Sequence, residues 1–191
     1  MMTGEMKKWE TTEGLLFLKR VGVKRGQTVI DFGCGVGHYS IPAAVVAGPQ
    51  GIVYAIDKDR AVLRKLQRKA KSRDLTNLKT TKNIKDVTLE FENESSDVVL
   101  LYDMLHYLPA GERKALYSEV RRVLKDTTGL LSVYPKHLAG DYAADHFKSM
   151  NMQKLTREIE KAGFTLEDRL EGTMSHDNSL VRGRVLNFRK K

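Results

Sequence analysis

What this chain lacks narrows it first. Cys34 is its single cysteine, so an internal disulfide and a multi-cysteine metal site are both excluded. One thiol fits a reducing compartment, and a cytoplasmic location is expected. No apolar run approaches the roughly 18 residues that a membrane span needs. The first ten residues, Met1 to Glu10, are polar and lack the apolar core of a signal peptide. There is no internal repeat, low-complexity tract or Pro/Gly-rich linker, so residues 1–191 read as one domain, with 1–25 as an N-terminal helical extension. Acid is absent from Arg60 to Arg73, where seven bases account for most of the net charge of +9. Such clustering can serve a polyanion. At helical spacing, however, Val62, Leu63, Leu66 and Ala70 share one side with most bases opposite, the pattern of a solvated helix face.

What is present centres on Val29 to Ser40. An apolar, β-branched run ends in Asp31, and Gly33, Gly35 and Gly37 follow at intervals of two before a helix-compatible segment from Ile41 to Ala47. A strand, a glycine turn and a helix together bring backbone close to a nucleotide-like ligand. Glycine allows positive φ and puts no Cβ in the way. The helix N-terminus offers N–H groups to an anion. The spacing is not G-x-G-x-x-G, because the third glycine would fall at His38 or Ser40, and the Gly-Lys-Ser/Thr end of a P-loop is missing. A second apolar strand, Ile52 to Asp57, ends in an acid 20 residues after Gly37. A carboxylate there can accept both hydroxyls of a ribose.

Asp31-x-Gly33-x-Gly35-x-Gly37 followed by Asp57 resembles the first motifs of the class I S-adenosylmethionine-dependent methyltransferases. The resemblance extends over nearly the whole chain. Strand–helix alternation by itself reads as a doubly wound α/β sheet. The resemblance implies a Rossmann-like, seven-stranded sheet ordered 3-2-1-4-5-7-6 with strand 7 antiparallel. It assigns Asp57 and the adjacent Lys58 to the ribose end, and the backbone of Gly33, Cys34, Gly35 and Gly37 to the methionyl part. It directs Asp31 to the methionyl ammonium, and uses Tyr102, at the end of strand Asp97–Tyr102, to close the pocket. After the third strand, Leu78 to Lys82, Ile84 is expected over the adenine ring, and Asn83 or Asp86 against its amino group.

The sulfonium of S-adenosylmethionine is already an activated electrophile. The protein need only align an acceptor with the methyl group and exclude water, so no metal is required. A protonated acceptor needs a base, and His106 is the first candidate because it follows strand four and titrates near neutrality. His137, Tyr142 and His146 fall after the fifth strand, where acceptor contacts are expected. An Asn/Asp-Pro-Pro-Tyr/Phe segment is absent after strand four, where Asp103-Met104-Leu105-His106 stands instead, which argues against adenine and amide nitrogens. No cysteine is there for cytosine-carbon attack. The leading expectation is methylation of a small molecule, with resemblance to the quinone-biosynthesis-type branch. RNA methylation using the basic Arg60–Arg73 helix, and a non-catalytic cofactor-binding protein, are the alternatives. Trp9 is expected to pack rather than act as a lid, and an opening helix is expected from Glu10 to Val21. The late strands are expected at Phe164–Leu170 and Leu180–Phe188, with a polar connection between them.

Overall fold

The strand that precedes the glycine turn lies in the middle of the molecule. In the computed structural model, which describes residues 3–82, 87–138 and 145–191, β1 (Thr28–Phe32) pairs in parallel with β2 (Ile52–Asp57) on one side and β4 (Val98–Tyr102) on the other. β3 (Leu78–Lys82) extends the sheet beyond β2, and β5 (Leu130–Tyr134) extends it beyond β4, all in parallel. β7 (Ser179–Lys190) inserts antiparallel between β5 and β6 (Phe164–His176). The order is β3-β2-β1-β4-β5-β7-β6, the topology that the resemblance implies. β4 and β5 are buried along their whole length, and their sequences are nearly continuous apolar runs because helices cover both faces.

Two apolar layers flank the sheet. One face is covered by α2 (Gly14–Val21), α3 (Ser40–Ala47) and α4 (Arg60–Lys71), through Phe17, Ile41, Leu63 and Leu66 among others. The other carries α5 (Ala110–Val123) and α6 (Met152–Lys161), through Leu116, Val120, Leu155 and Ile159. In α4, Leu63, Leu66 and Ala70 turn inward and most of the bases outward, as the spacing predicts.

Two elements differ from expectation. The opening helix starts earlier than Glu10: α1 (Gly4–Lys8) runs through a π-helical segment (Trp9–Glu13) into α2. The Thr3 side chain caps it by accepting from Met6 N at 3.3 Å, and the buried Met6 and Trp9 anchor a stretch that otherwise reads as polar. Trp9 is a packing residue, 1% exposed against Phe17 and Tyr39, with Nε1 donating to the His38 carbonyl at 2.8 Å. The late strands are also longer than predicted. β6 and β7 form one ribbon, turned at Asp177-Asn178, and the region expected to be a polar connection is paired strand from Glu171 to His176 and again at Ser179. Exposed side chains such as Glu171 and Arg184 pair across it, so its sequence carries little apolar signal.

Candidate functional site

An open cleft of about 1690 Å³ lies beyond the carboxyl ends of β1, β2 and β4. This is where the sheet's connections diverge to opposite faces, the expected ligand position in a doubly wound sheet. Its wall includes Gly33, Cys34, Gly35, Asp57, Lys58 and Tyr102, six of the residues chosen from the sequence. The three glycines serve three different purposes. A Cβ on Gly33 would stand 2.8 Å from Met104 Cβ, so that position is closed by packing. At Gly35, with φ of 52°, nothing lies within 4 Å of where a Cβ would be, so the turn leaves open space for a ligand. At Gly37, with φ of 84°, a Cβ would come 2.2 Å from Leu66 Cδ1, so this glycine lets α4 pack against the turn and does not line the cleft.

Asp57 ties the turn to the second strand. Its Oδ2 accepts from Gly35 N at 2.8 Å and its Oδ1 from Asp59 N at 2.9 Å. Helix α4 is capped separately by Asp59, which accepts from Ala61 N at 2.6 Å. A carboxylate has about four acceptor positions, so Asp57 keeps capacity on both oxygens for a pair of hydroxyls. Gly33 N and Cys34 N both donate to the Ile56 carbonyl, at 2.8 and 3.0 Å, which fixes the turn against β2. The Cys34 thiol is buried, and burial pushes its pKa well up, so it stands as a small apolar group.

Asp31 lies beneath the turn, 2% exposed and off the cleft wall. Burial raises its carboxyl to about 7, against the bond from Ser40 Oγ at 2.5 Å and with the help of the nearby Asp57 charge. Tyr102 is buried at the cleft floor, its hydroxyl shared with Ser132 at 2.8 Å and its ring edge-on to Tyr39 at 4.6 Å. Asn83, Ile84, Asp86 and Tyr142 lie outside the described residues.

The far end of the cleft holds the largest departure from the sequence reading. His106 is buried, off the cleft wall, with Nδ1 3.7 Å from Asp103 Oδ1. Burial, helped by the neighbouring His137 and His176, pulls its pKa down to about 4. On the wall itself stand Asp103 and His176, the latter at the tip of the β6–β7 ribbon. His176 Nδ1 donates to Asp103 Oδ2 at 2.5 Å. His146 Nε2 donates to the His106 carbonyl at 3.2 Å, and His137 packs between the His106 and His176 rings. Tyr39 holds the ribbon tip down by donating its hydroxyl to the Ser175 carbonyl at 2.8 Å. Sequence reasoning missed Ser175 and His176 because the ribbon resembled a loop. Ser179 to Phe188, with its alternating Leu, Val and Arg, held the only signal that the strand ran further.

Fold and cleft together define the class I methyltransferase architecture. The methyltransferase-domain family model matches residues 23–179, and the chain belongs to that family, the S-adenosylmethionine-dependent methyltransferases of class I. A demethylmenaquinone methyltransferase of Geobacillus stearothermophilus is 30% identical over 108 residues, covering 56% of this chain and 45% of that protein. The chain thus matches about half the length of such curated relatives. A SAM-dependent methyltransferase from Aquifex aeolicus superposes with a TM-score of 0.74 over 95% of this chain and 90% of that one, at 22% identity. Magnesium protoporphyrin IX methyltransferase from Synechocystis PCC 6803, solved with bound SAM, superposes at 0.67 over 98% of this chain and 80% of that one, at 23% identity. At such identities these likenesses establish the fold.

Proposed function

We propose that this chain binds S-adenosylmethionine in the cleft and transfers its methyl group to a small-molecule acceptor. The observation that carries the reading is the junction of Gly35 and Asp57: an acid with spare acceptor capacity, locked at 2.8 Å to an open glycine turn. In this reading Asp57 takes the ribose hydroxyls, with Lys58 beside it. The Gly33–Gly35 backbone lies along the methionyl part. Gly37 contributes by packing the turn, and the buried Asp31 attracts the ammonium from below. Tyr102 closes the floor near the sulfonium.

Transfer is a single displacement. An acceptor lone pair forms the new bond to the methyl carbon, the carbon–sulfur bond breaks, and its electron pair remains on sulfur, leaving S-adenosylhomocysteine. The family's small-molecule relatives, the demethylmenaquinone methyltransferases, support an acceptor of that size. The acceptor end would be bounded by Asp103 and His176, both on the cleft wall. His106 lies off that wall, 3.7 Å from Asp103 Oδ1, so this reading gives it no direct contact with the acceptor.

The test is calorimetric titration with S-adenosylmethionine. Asp57→Ala is expected to weaken binding tenfold or more, about 1.4 kcal/mol. An unchanged isotherm removes the ribose assignment.

A further inference from the structure

Three of the chain's five histidines, His106, His137 and His176, lie within 4 Å of one carboxylate, and cofactor binding explains none of them. Asp103, His137 and His176 come from three separate parts of the chain. Asp103 directly follows β4 with φ of 53°, a left-handed conformation uncommon for a residue with a Cβ, and its N–H is held by the Tyr134 carbonyl at 2.8 Å. His137 follows β5 by three residues, and His176 ends β6. One candidate ligand atom from each lies within 4.8 Å of the other two.

Their polar atoms are under-served. Asp103 Oδ1 and His137 Nδ1 are buried without a hydrogen-bond partner among the described residues. His137 Nε2 and His106 Nδ1 approach Asp103 Oδ1 at 3.6 and 3.7 Å, too far for hydrogen bonds. The His137–Asp103 separation is close to the ~3.4 Å between donors in a tetrahedral site with bonds of about 2.1 Å. Buried lone pairs without partners are costly, and crowded imidazoles cannot all be satisfied by one carboxylate. A cation held by Asp103 Oδ1 and one His137 ring nitrogen would give the orphaned carboxylate oxygen a partner.

We propose that Asp103, His137 and His176 form a binding site for a divalent first-row transition metal on the cleft wall. The sequence pointed to no metal, since it offered neither cysteine sets nor local His spacing; the fold assembles this donor set from distant segments. Two imidazoles and one carboxylate suit zinc, iron(II), cobalt or nickel, whereas magnesium and calcium take oxygen ligands. Asp103 and His176 line the cleft, so positions on the metal remain open toward it. An oxygen-bearing acceptor could be held there. That use rests on the methyl-transfer reading; the site itself does not. Binding releases the proton shared by His176 Nδ1 and Asp103 Oδ2, opens that 2.5 Å pair and replaces its hydrogen bond with two metal bonds.

Cobalt(II) is the probe. The full chain, stripped by chelator dialysis, is titrated with cobalt and read by visible d–d absorption, with no cofactor or acceptor present. The expected result is a band saturating at about one equivalent, from a single three-ligand cluster. In His137→Ala and His176→Ala the affinity is expected to fall at least tenfold. Calorimetry with S-adenosylmethionine reports whether each variant still folds its cleft, and separates failure of the metal site from failure of the cofactor assignment. Absence of a band in the unsubstituted protein overturns the proposal whatever the variants do, and so does a band that persists at full affinity in either folded variant.

Discussion

At the scale of single residues, Glu10 shows how a polar start to a sequence becomes structure. Its side chain is fully buried and accepts from His38 Nδ1 at 2.8 Å, Lys69 Nζ at 2.6 Å and Arg73 Nη2 at 2.6 Å. Burial alone would raise its pKa; the bonds from His38 and Lys69 and the charges of Lys69 and Arg73 outweigh it and hold the carboxyl near 2, below 4.5. A depressed acid stabilises the fold fully above its unfolded pKa, and that contribution is lost as the pH falls through the folded value. The window here runs from about pH 4.5 down to about 2, and the contribution is on the order of 3 kcal/mol. Thermal melts of Glu10→Gln should therefore show a lower midpoint than the parent at pH 7. The difference should narrow steadily below pH 4.5. A gap independent of pH across that window contradicts the ionic account.

At the scale of elements, the junction of the glycine turn with α4 depends on a contact that the motif does not reveal. Gly37 has positive φ, and a Cβ there would overlap Leu66. Gly37→Ala should cost about 2–4 kcal/mol, combining overpacking with backbone strain. The double variant Gly37→Ala/Leu66→Ala should regain the overpacking part, less the cavity it leaves, and keep the strain. Urea unfolding of the four members of this cycle measures the coupling. Strict additivity would mean that the turn and α4 are not in contact as described. The β6–β7 ribbon teaches a related lesson. Its outer half carries few apolar residues and many polar or charged ones around the Asp177-Asn178 turn, so local pattern alone reads it as a loop although its partner strand follows directly. That misreading hid Ser175 and His176 from the site prediction.

At the scale of the whole molecule, the question is what the excess positive charge is for. Of the seven bases between Arg60 and Arg73, Lys69 and Arg73 turn to Glu10, while Arg60, Arg64, Lys65, Arg68 and Lys71 stay exposed. Lys65, Arg68 and Lys69 also reach the cleft rim, a placement that the helical wheel did not predict. An exposed basic strip attracts RNA non-specifically and with strong salt dependence. The small-molecule reading predicts that methyl-labelled cofactor deposits its label in a low-mass fraction of cell extract, and that nuclease pretreatment leaves the yield unchanged. Loss of labelling after nuclease would transfer the assignment to an RNA acceptor.

The doubly wound alternation, the glycine turn and Asp57 were legible from the sequence because each rests on local pattern: a period, a glycine interval, an acid at a strand end. The strand order came only with the family resemblance those motifs carry. Gly33, Cys34, Gly35, Lys58 and Tyr102 reach the cleft for the same reason, since neighbours along a strand and its turn stay neighbours in space. Whether Asp31 and Gly37 face the cleft or the interior was decided only by packing, which buries the first beneath the turn and sets the second against Leu66. The meeting of Asp103, His137 and His176 was decided there too. Seventy-three residues separate the first from the last in the chain, and no local rule of spacing links them. What joins them is the antiparallel insertion of β7 between β5 and β6, which carries the ribbon tip back over the end of β4.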